Sequence, residues 1–217
     1  MADGLNRRFL EDPYGFLQTF PLTTALISMP VVAPAASLEP PAGRSNFDLV
    51  RTALAPEDNG VALLPAATHA FRDIPIPAYW LPQGRHIDVP TVDPPARLIF
   101  TPELSGCKIY IDEINLLRSR VFHIQCAHEA AEYTGGNRGG KRLKTADSRH
   151  YGGVPSVDGP PHPRRVRTTR VNAVMVHWDT EWHIVLQGLT GIGPGTREGR
   201  LVLPPGPPQQ VDSVVAI

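Results

Sequence analysis

The chain has 217 residues, of which 41% are hydrophobic, and its 21 basic and 21 acidic side chains give a formal net charge of zero. This length supports one substantial hydrophobic core, so a single domain is expected. The balanced charge argues against a protein held to nucleic acid by an overall positive field, and no nucleic acid partner is expected. The 24 prolines predict that long helices are scarce.

Residues 1–44 are predicted to form a proline-interrupted N-terminal arm that packs on the domain, which comprises residues 45–217. The uncharged stretch from Tyr14 to Leu38 is long enough to raise the question of a membrane span, but three prolines and several polar residues interrupt it. We therefore expect extended chain here and no transmembrane segment. A signal peptide with a short apolar core and a small-residue cleavage site is not evident.

A short helix is predicted directly after this arm. Ser45 and Asp48 resemble a capping box, in which two side chains satisfy the first backbone N–H groups of a helix. Phe47, Val50 and Leu54 recur at a spacing that places them on one helical face. The pattern thus indicates a helix that packs its apolar side on the domain.

The rest of the chain is predicted to be mostly β structure. Residues 61–64 follow a turn signal and predict a buried strand, whereas the prolines of residues 65–95 predict loops with one or two edge strands. Runs rich in Val, Ile, Phe, Tyr and Trp follow at 97–101, 107–114, 117–128, 170–178 and 182–190. The short connection between the last two runs predicts an antiparallel hairpin. The predicted fold class is α/β: a single-domain, strand-rich sheet sandwich with a few short helices and long loops.

Residues 134–168 are predicted to form one long loop rich in glycine and in basic residues. An ordered functional loop and a solvated linker both remain open. Within it, residues 135–142 nearly spell a phosphate-binding loop, but Arg142 stands where a Ser or Thr would hold magnesium, and no amphipathic helix follows. The residues around His128 resemble a metalloprotease helix that lacks its second zinc-binding histidine. We therefore expect no bound nucleotide, no metal and no other cofactor.

Cys107 lies in the most informative segment of the sequence. The polar turn of residues 101–107 joins two apolar strand-like runs, and its Pro, Ser and Gly content predicts a solvated setting for the thiol. Ser105 and Gly106 directly precede the cysteine, and a glycine there lets backbone N–H groups converge on a developing oxyanion. The ordinary alternative is a buried structural cysteine. A disulfide between Cys107 and Cys126, the two cysteines of the chain, also remains open.

A histidine within reach of this thiol would serve as its general base. Side chains alternate along a strand, so the odd-numbered residues of 121–127 share one face, the more polar one, and the even-numbered residues share the other. His123 is therefore preferred as the base, His128 at the strand end remains the alternative, and Cys126 is predicted to be a core residue. The imidazole also needs an acceptor for its other N–H. The candidates are the main-chain carbonyl of Thr101 and the side chains of Gln125, Asn172 and Gln187.

The run Leu-Ser-Gly-Cys at residues 104–107, followed by a strand histidine, resembles the catalytic signature of the bacterial glutamine-deamidase toxins. These are the catalytic domain of cytotoxic necrotizing factor and the single-domain Burkholderia lethal factor. Thr101, six positions before the cysteine, also resembles the lethal-factor pattern. The resemblance covers residues 97–128. The spacing from Cys107 to His123 is longer than lethal factor suggests and is closer to the necrotizing-factor arrangement.

The resemblance implies a cysteine-dependent hydrolase that converts a glutamine side-chain amide of a host protein to glutamate. It implies Cys107 as the nucleophile, His123 as the base, and Thr101 as the residue whose carbonyl orients the imidazole. The expected target is a translation-initiation RNA helicase or a Rho-type GTPase. The expected protein is a monomeric virulence toxin that inhibits translation, secreted or delivered into the host cytoplasm. A transglutaminase or thiol protease with the same nucleophile, or a non-catalytic protein-binding module, remains the alternative.

Overall fold

The computed structural model describes residues 4–24, 27, 39–52, 59–66, 74–150, 170–190, 195–197, 200–202 and 210–217. Within them an eight-stranded mixed sheet faces a four-stranded antiparallel sheet, and the helices are short. This arrangement confirms the predicted fold class, a strand-rich α/β sheet sandwich.

Two helices open the described chain: α1 spans Leu5–Glu11 and α2 spans Pro13–Thr19. The extended chain expected from residue 14 onward is therefore wrong for residues 14–19. In spatial order, the large sheet consists of β1 (Leu22–Thr23), β3 (Val61–Pro65), β2 (Gly43–Arg51), β4 (Ile76–Trp80), β6 (Leu98–Phe100), β10 (Arg170–Trp178), β11 (Glu181–Thr190) and β14 (Gln210–Ala216). The small sheet consists of β5 (Arg85–Pro90), β8 (Arg118–Ile124), β7 (Lys108–Asn115) and β9 (Lys141–Ala146). A separate hairpin pairs β12 (Gly195–Arg197) with β13 (Arg200–Val202).

The hydrophobic core that holds the candidate site lies between the two sheets. Its members include Ile99, Met175 and Ile184 from the large sheet and Ile109, Ile111 and Val121 from the small sheet. A second core lies on the other face of the large sheet, where Phe9 of α1 and Leu17 of α2 pack. Full burial of one such side chain contributes about 1.5–3 kcal/mol, so these two layers dominate the stability of the fold.

Several predicted strands are confirmed. The strand predicted at 61–64 is β3, and the predicted hairpin is the antiparallel pair β10 and β11, with Trp178 opposite Glu181 at its turn. The prediction of edge strands within 65–95 is confirmed for β5, which lies at an edge of the small sheet. It is wrong for β4, which lies inside the large sheet between β2 and β6.

The helix predicted after residue 44 is wrong, because this segment is strand β2. Phe47 pairs with Pro65 of β3 on one side and with Ile76 of β4 on the other. Phe47 and Leu49, which occupy alternate positions of the strand, are both buried, and of the predicted helical face only Phe47 is buried among the described residues. Pairing on both sides decides between the two patterns, and it is invisible in the local sequence.

The predicted loop of residues 134–168 is wrong in its middle part, where residues 141–146 form strand β9 on the edge of the small sheet. The segment that resembles a phosphate-binding loop therefore leads into a strand and has no helix N-terminus to bind phosphate. Residues 151–169 lie outside the described part of the chain, so the nature of that stretch stays an open prediction. The proline-rich stretch at 204–208 lies outside it as well.

Candidate active site

Two chain crossings between the sheets build the site. The first leads from β4 to β5 and the second from β6 to β7, so each leaves the large sheet and enters the small one. Since β4 and β6 are parallel neighbours, both crossings start at the same end of the large sheet. In the small sheet, β5 and β7 lie on either side of β8, and His123 of β8 pairs with Arg85 and Ile109. His123 thus lies between the two crossings.

His123 is fully buried, and its Nδ1 lies 2.5 Å from the Thr101 hydroxyl oxygen. That hydroxyl donates to the main-chain oxygen of Leu81 at 2.8 Å. A hydroxyl carries one proton, so Thr101 must accept from His123, and Nδ1 must be the protonated ring nitrogen. Nε2 then carries a lone pair, and it has no hydrogen-bond partner among the described residues. The contact through the Thr101 hydroxyl replaces the carbonyl contact that the resemblance implied.

Burial lowers the pKa of His123 to about 3. Desolvation disfavours the charged imidazolium, so the resting ring is neutral throughout the physiological range of pH. A neutral ring with an unprotonated Nε2 is the form that can take a proton from a thiol.

This lowered pKa makes the stability of the fold depend on pH. Below its ordinary value of 6.5 an unfolded His123 binds a proton, whereas the folded protein binds it only near pH 3. The contribution of His123 is thus fully present above pH 6.5 and is lost as the pH falls toward 3, at about 1.4 kcal/mol per pH unit. We expect denaturant unfolding at several pH values to show a shallower acid-side slope for His123→Gln. The exposed His128→Gln is the control, and an equal change in both variants would contradict this assignment.

Cys107 lies on the same face of the small sheet as His123. The register pairs Ile109 with His123, and Cys107, which directly precedes β7, belongs with Ile109 to the core between the sheets, so Cys107 lies on the side of the small sheet that His123 faces. Cys107 is a thiol rather than half of a disulfide. The sulfur accepts a hydrogen bond from Gln83 Nε2 at 3.4 Å.

The predicted solvated setting of Cys107 is wrong, because this residue is 3% exposed. The second crossing is tied to the large sheet: Leu104 forms a bridge with Val171 and donates its N–H to the Val171 oxygen at 2.8 Å. Turn-forming residues therefore do not imply solvent here, and only Ser105 of this segment is exposed. Gly106 has a φ of 86°, a left-handed conformation that favours glycine and that turns the chain into β7 just before the cysteine.

The first crossing holds Gln83, a site residue that the sequence reasoning missed. Arg85 donates its N–H to the Pro82 oxygen at 3.3 Å, which closes a tight turn, and Gly84 has a φ of 71° as the third turn residue requires. Gly84 also donates its N–H to the His123 oxygen at 2.8 Å. The turn is therefore fixed to β8, and the sequence Pro-Gln-Gly was the available signal for it.

An open cleft of about 940 Å³ is lined by residues of both crossings, although Cys107 itself is not part of its lining. Its lining includes Gln83 from the first crossing, Pro102 from the second and Gln125 from the end of β8. Gln83 is exposed, yet its amide reaches the buried sulfur of Cys107. The cleft and the thiol are thus connected through a single side chain.

The other candidate residues lie elsewhere. His128 is 60% exposed in the turn Cys126–His128, where its Nδ1 lies 2.6 Å from Gln125 Oε1. Asn172 and Gln187 lie on the opposite face of the large sheet, where they bind main-chain groups at the end of α2 and in β1. The side chain of Cys126 lies outside the described residues, so its predicted burial stays a prediction.

The odd-numbered residues of β8 were predicted to form its more polar face, and this prediction is wrong. Val121 and His123 face the core between the sheets, whereas Phe122 and Ile124 pack against Tyr133 on the outer face. Tyr133 belongs to the short π-helical turn Ala130–Thr134, which covers this outer face. Both faces of β8 are therefore covered, and alternation in the sequence could not distinguish them.

Comparisons with known proteins add no relative: no family model and no curated protein sequence matches the chain. In the described part of the chain, no group of three or more His, Cys, Asp and Glu side chains is arranged to hold a metal ion. Within the same residues, no helix combines the length and the apolar character needed to cross a membrane. The chemistry of the site is therefore argued from its own side chains.

Proposed function

We propose that this protein is a cysteine-dependent protein glutamine deamidase, in which Cys107 is the nucleophile and His123 the general base. The observation that supports this most strongly is the pair of hydrogen bonds through Thr101, which fixes the His123 tautomer with a bare Nε2 on the face that also carries Cys107. A nucleophile, a base and an orienting group are the minimal parts of a thiol acyl-transfer site.

In the proposed reaction, His123 Nε2 takes the proton of the Cys107 thiol. The thiolate forms a bond to the amide carbon of the substrate, and the carbonyl electron pair moves to oxygen. When the oxyanion collapses, the carbon–nitrogen bond breaks, and the nitrogen leaves as ammonia with the proton from His123. Water then gives a proton to His123 and attacks the thioester carbon, the carbon–sulfur bond breaks, and glutamate and the thiol result.

The burial of Cys107 favours a side-chain substrate over a peptide bond. A slender glutamine side chain can carry its amide to a cysteine that is 3% exposed, whereas a polypeptide backbone needs a wide open groove at the nucleophile. This weighs against a thiol protease. A transglutaminase shares the first half of the reaction and differs in using an amine instead of water, so added amine distinguishes the two.

The proposed setting follows the resemblance to the deamidase toxins. We propose a toxin or effector that acts in the host cytoplasm on a translation-initiation RNA helicase or a Rho-type GTPase. Replacing a neutral amide by a carboxylate at a glutamine that positions water or substrate disables such an enzyme.

The test is to incubate the protein with a purified translation-initiation RNA helicase and a purified Rho-type GTPase and to read the intact mass of each. We expect one of them to gain about one dalton with the unmodified protein, as an amide becomes a carboxylate, and to be unchanged with Cys107→Ser. A primary amine added to the mixture should not be incorporated. A mass gain that persists with Cys107→Ser, or incorporation of the amine, would overturn the assignment.

A further inference from the structure

We propose that Gln83 is a catalytic residue of this site, whose side-chain N–H stabilises first the Cys107 thiolate and then the oxyanion of the intermediate. This inference rests on the proposed function, and it adds a donor that lies outside the cysteine turn.

The geometry places the donor at the reacting atom. Gln83 Nε2 lies 3.4 Å from Cys107 Sγ, and its N–H points to the sulfur. A substrate carbon bonded to this sulfur brings its oxygen close to the same N–H, and a useful donor lies about 2.7–3.1 Å from the oxyanion. A small movement of one side chain is enough to pass from the sulfur to the oxygen.

The turn that carries Gln83 is held rigidly in the site. The hydrogen bond from the Gly84 N–H to the His123 oxygen joins the turn to the strand of the base. The Glu132 carboxylate, which accepts the Gln125 N–H at 2.7 Å, also lies close to Gly84. The backbone of the donor is therefore anchored before charge develops, and only the Gln83 side chain has to move during the reaction, which limits the reorganisation that oxyanion stabilisation costs.

The rival role for Gln83 is a gate that covers the thiol and must move away. The two roles predict opposite changes in turnover when the Gln83 side chain is removed. A gate slows the reaction, so its removal raises turnover, whereas a donor speeds the reaction, so its removal lowers turnover. Since Gln83 is exposed, Gln83→Ala is expected to fold normally.

The first measurement needs no substrate. Alkylation of Cys107 by iodoacetamide is followed by peptide mass from about pH 5 to pH 10, because only the thiolate reacts. We expect the midpoint of the rate profile to move up by about one to two pH units in Gln83→Ala, since a hydrogen bond to a charged group is lost. Gln83→Glu should move it further, because a carboxylate repels the thiolate. Greater access to the thiol alone would change the rate plateau and leave the midpoint in place.

The matched control is Gln125→Ala, which removes the other glutamine of the cleft, whose oxygen contacts His128. The midpoint of its alkylation profile should stay at the value of the unmodified protein.

On the target protein, we expect Gln83→Ala to lower turnover by about 10²- to 10³-fold with little change in KM. An unchanged midpoint in Gln83→Ala, an equal shift in Gln125→Ala or a gain in turnover would overturn the proposal. If the unmodified protein deamidates neither target, the proposed function fails on those targets, while the alkylation midpoints still decide whether Gln83 stabilises the thiolate.

Discussion

Replacing His123 by glutamine is expected to lower turnover by about 10⁴-fold or more, because one side chain supplies both the base for the thiol and the acid for ammonia. Glutamine is close to histidine in size, and its amide can donate to the Thr101 hydroxyl, so the buried site should remain filled. The rate of mass gain of the target measures the loss. Circular dichroism and the unfolding midpoint check that the variant is folded.

The control for this variant is His128→Gln. His128 is 60% exposed and its ring contacts Gln125, so its replacement should change turnover by less than about threefold. A large loss in His128→Gln together with a small loss in His123→Gln would reverse the assignment of the base. The order of the two losses therefore decides between the two histidines.

Replacing Thr101 by valine leaves the side-chain volume almost unchanged and is expected to lower turnover by about 10²- to 10⁴-fold. Without the orienting hydroxyl, the His123 ring can adopt the tautomer that is protonated at Nε2 and cannot take the thiol proton. In this variant His123 Nδ1 and the Leu81 oxygen both lose their partner. Two buried polar groups without partners should also lower the free energy of unfolding by about 1–3 kcal/mol each. Turnover and denaturant unfolding are the two measurements.

Thr101→Ser is the matched control, because it keeps the hydroxyl and removes only a methyl group. We expect Thr101→Ser to retain most of the turnover, with a small loss of stability from the buried methyl. If serine and valine reduce turnover equally, the hydroxyl does not orient the imidazole. The main-chain carbonyl of Thr101 would then be the better candidate, as the resemblance to the toxins implied.

The sequence was sufficient to predict the sheet architecture and to single out the residues that the structure brings to one place. Dense runs of β-branched and aromatic residues predicted β7, β8, β10 and β11, whereas alternation along β8 led to the wrong assignment of its faces. Local patterns could not predict β2, because Phe47 and Leu49 fit a strand only when both neighbouring strands are known.

The setting of the site depended on long-range contacts and was beyond the sequence reasoning. Cys107 is buried because its crossing segment bonds to Val171, far away in the chain, and nothing in the turn itself indicates this. Gln83 was missed because it precedes the cysteine by 24 positions and joins the site through long-range contacts, the parallel pairing of β4 with β6 and the hydrogen bond from Gly84 to His123. A chemical role for an amide in a turn becomes visible only once its neighbours are known.

The most direct test of the central claim is the ¹⁵N NMR spectrum of the His123 ring in the unmodified protein. We expect a neutral ring with a protonated Nδ1 and an unprotonated Nε2 down to about pH 4, since burial lowers the pKa of His123 to about 3. In Cys107→Ser the same tautomer should persist, because Thr101 fixes it. A neutral ring protonated at Nε2 would contradict the claim that Nε2 is the nitrogen free to take the thiol proton. An imidazolium that titrates near pH 6.5 would contradict the buried, desolvated setting of the ring.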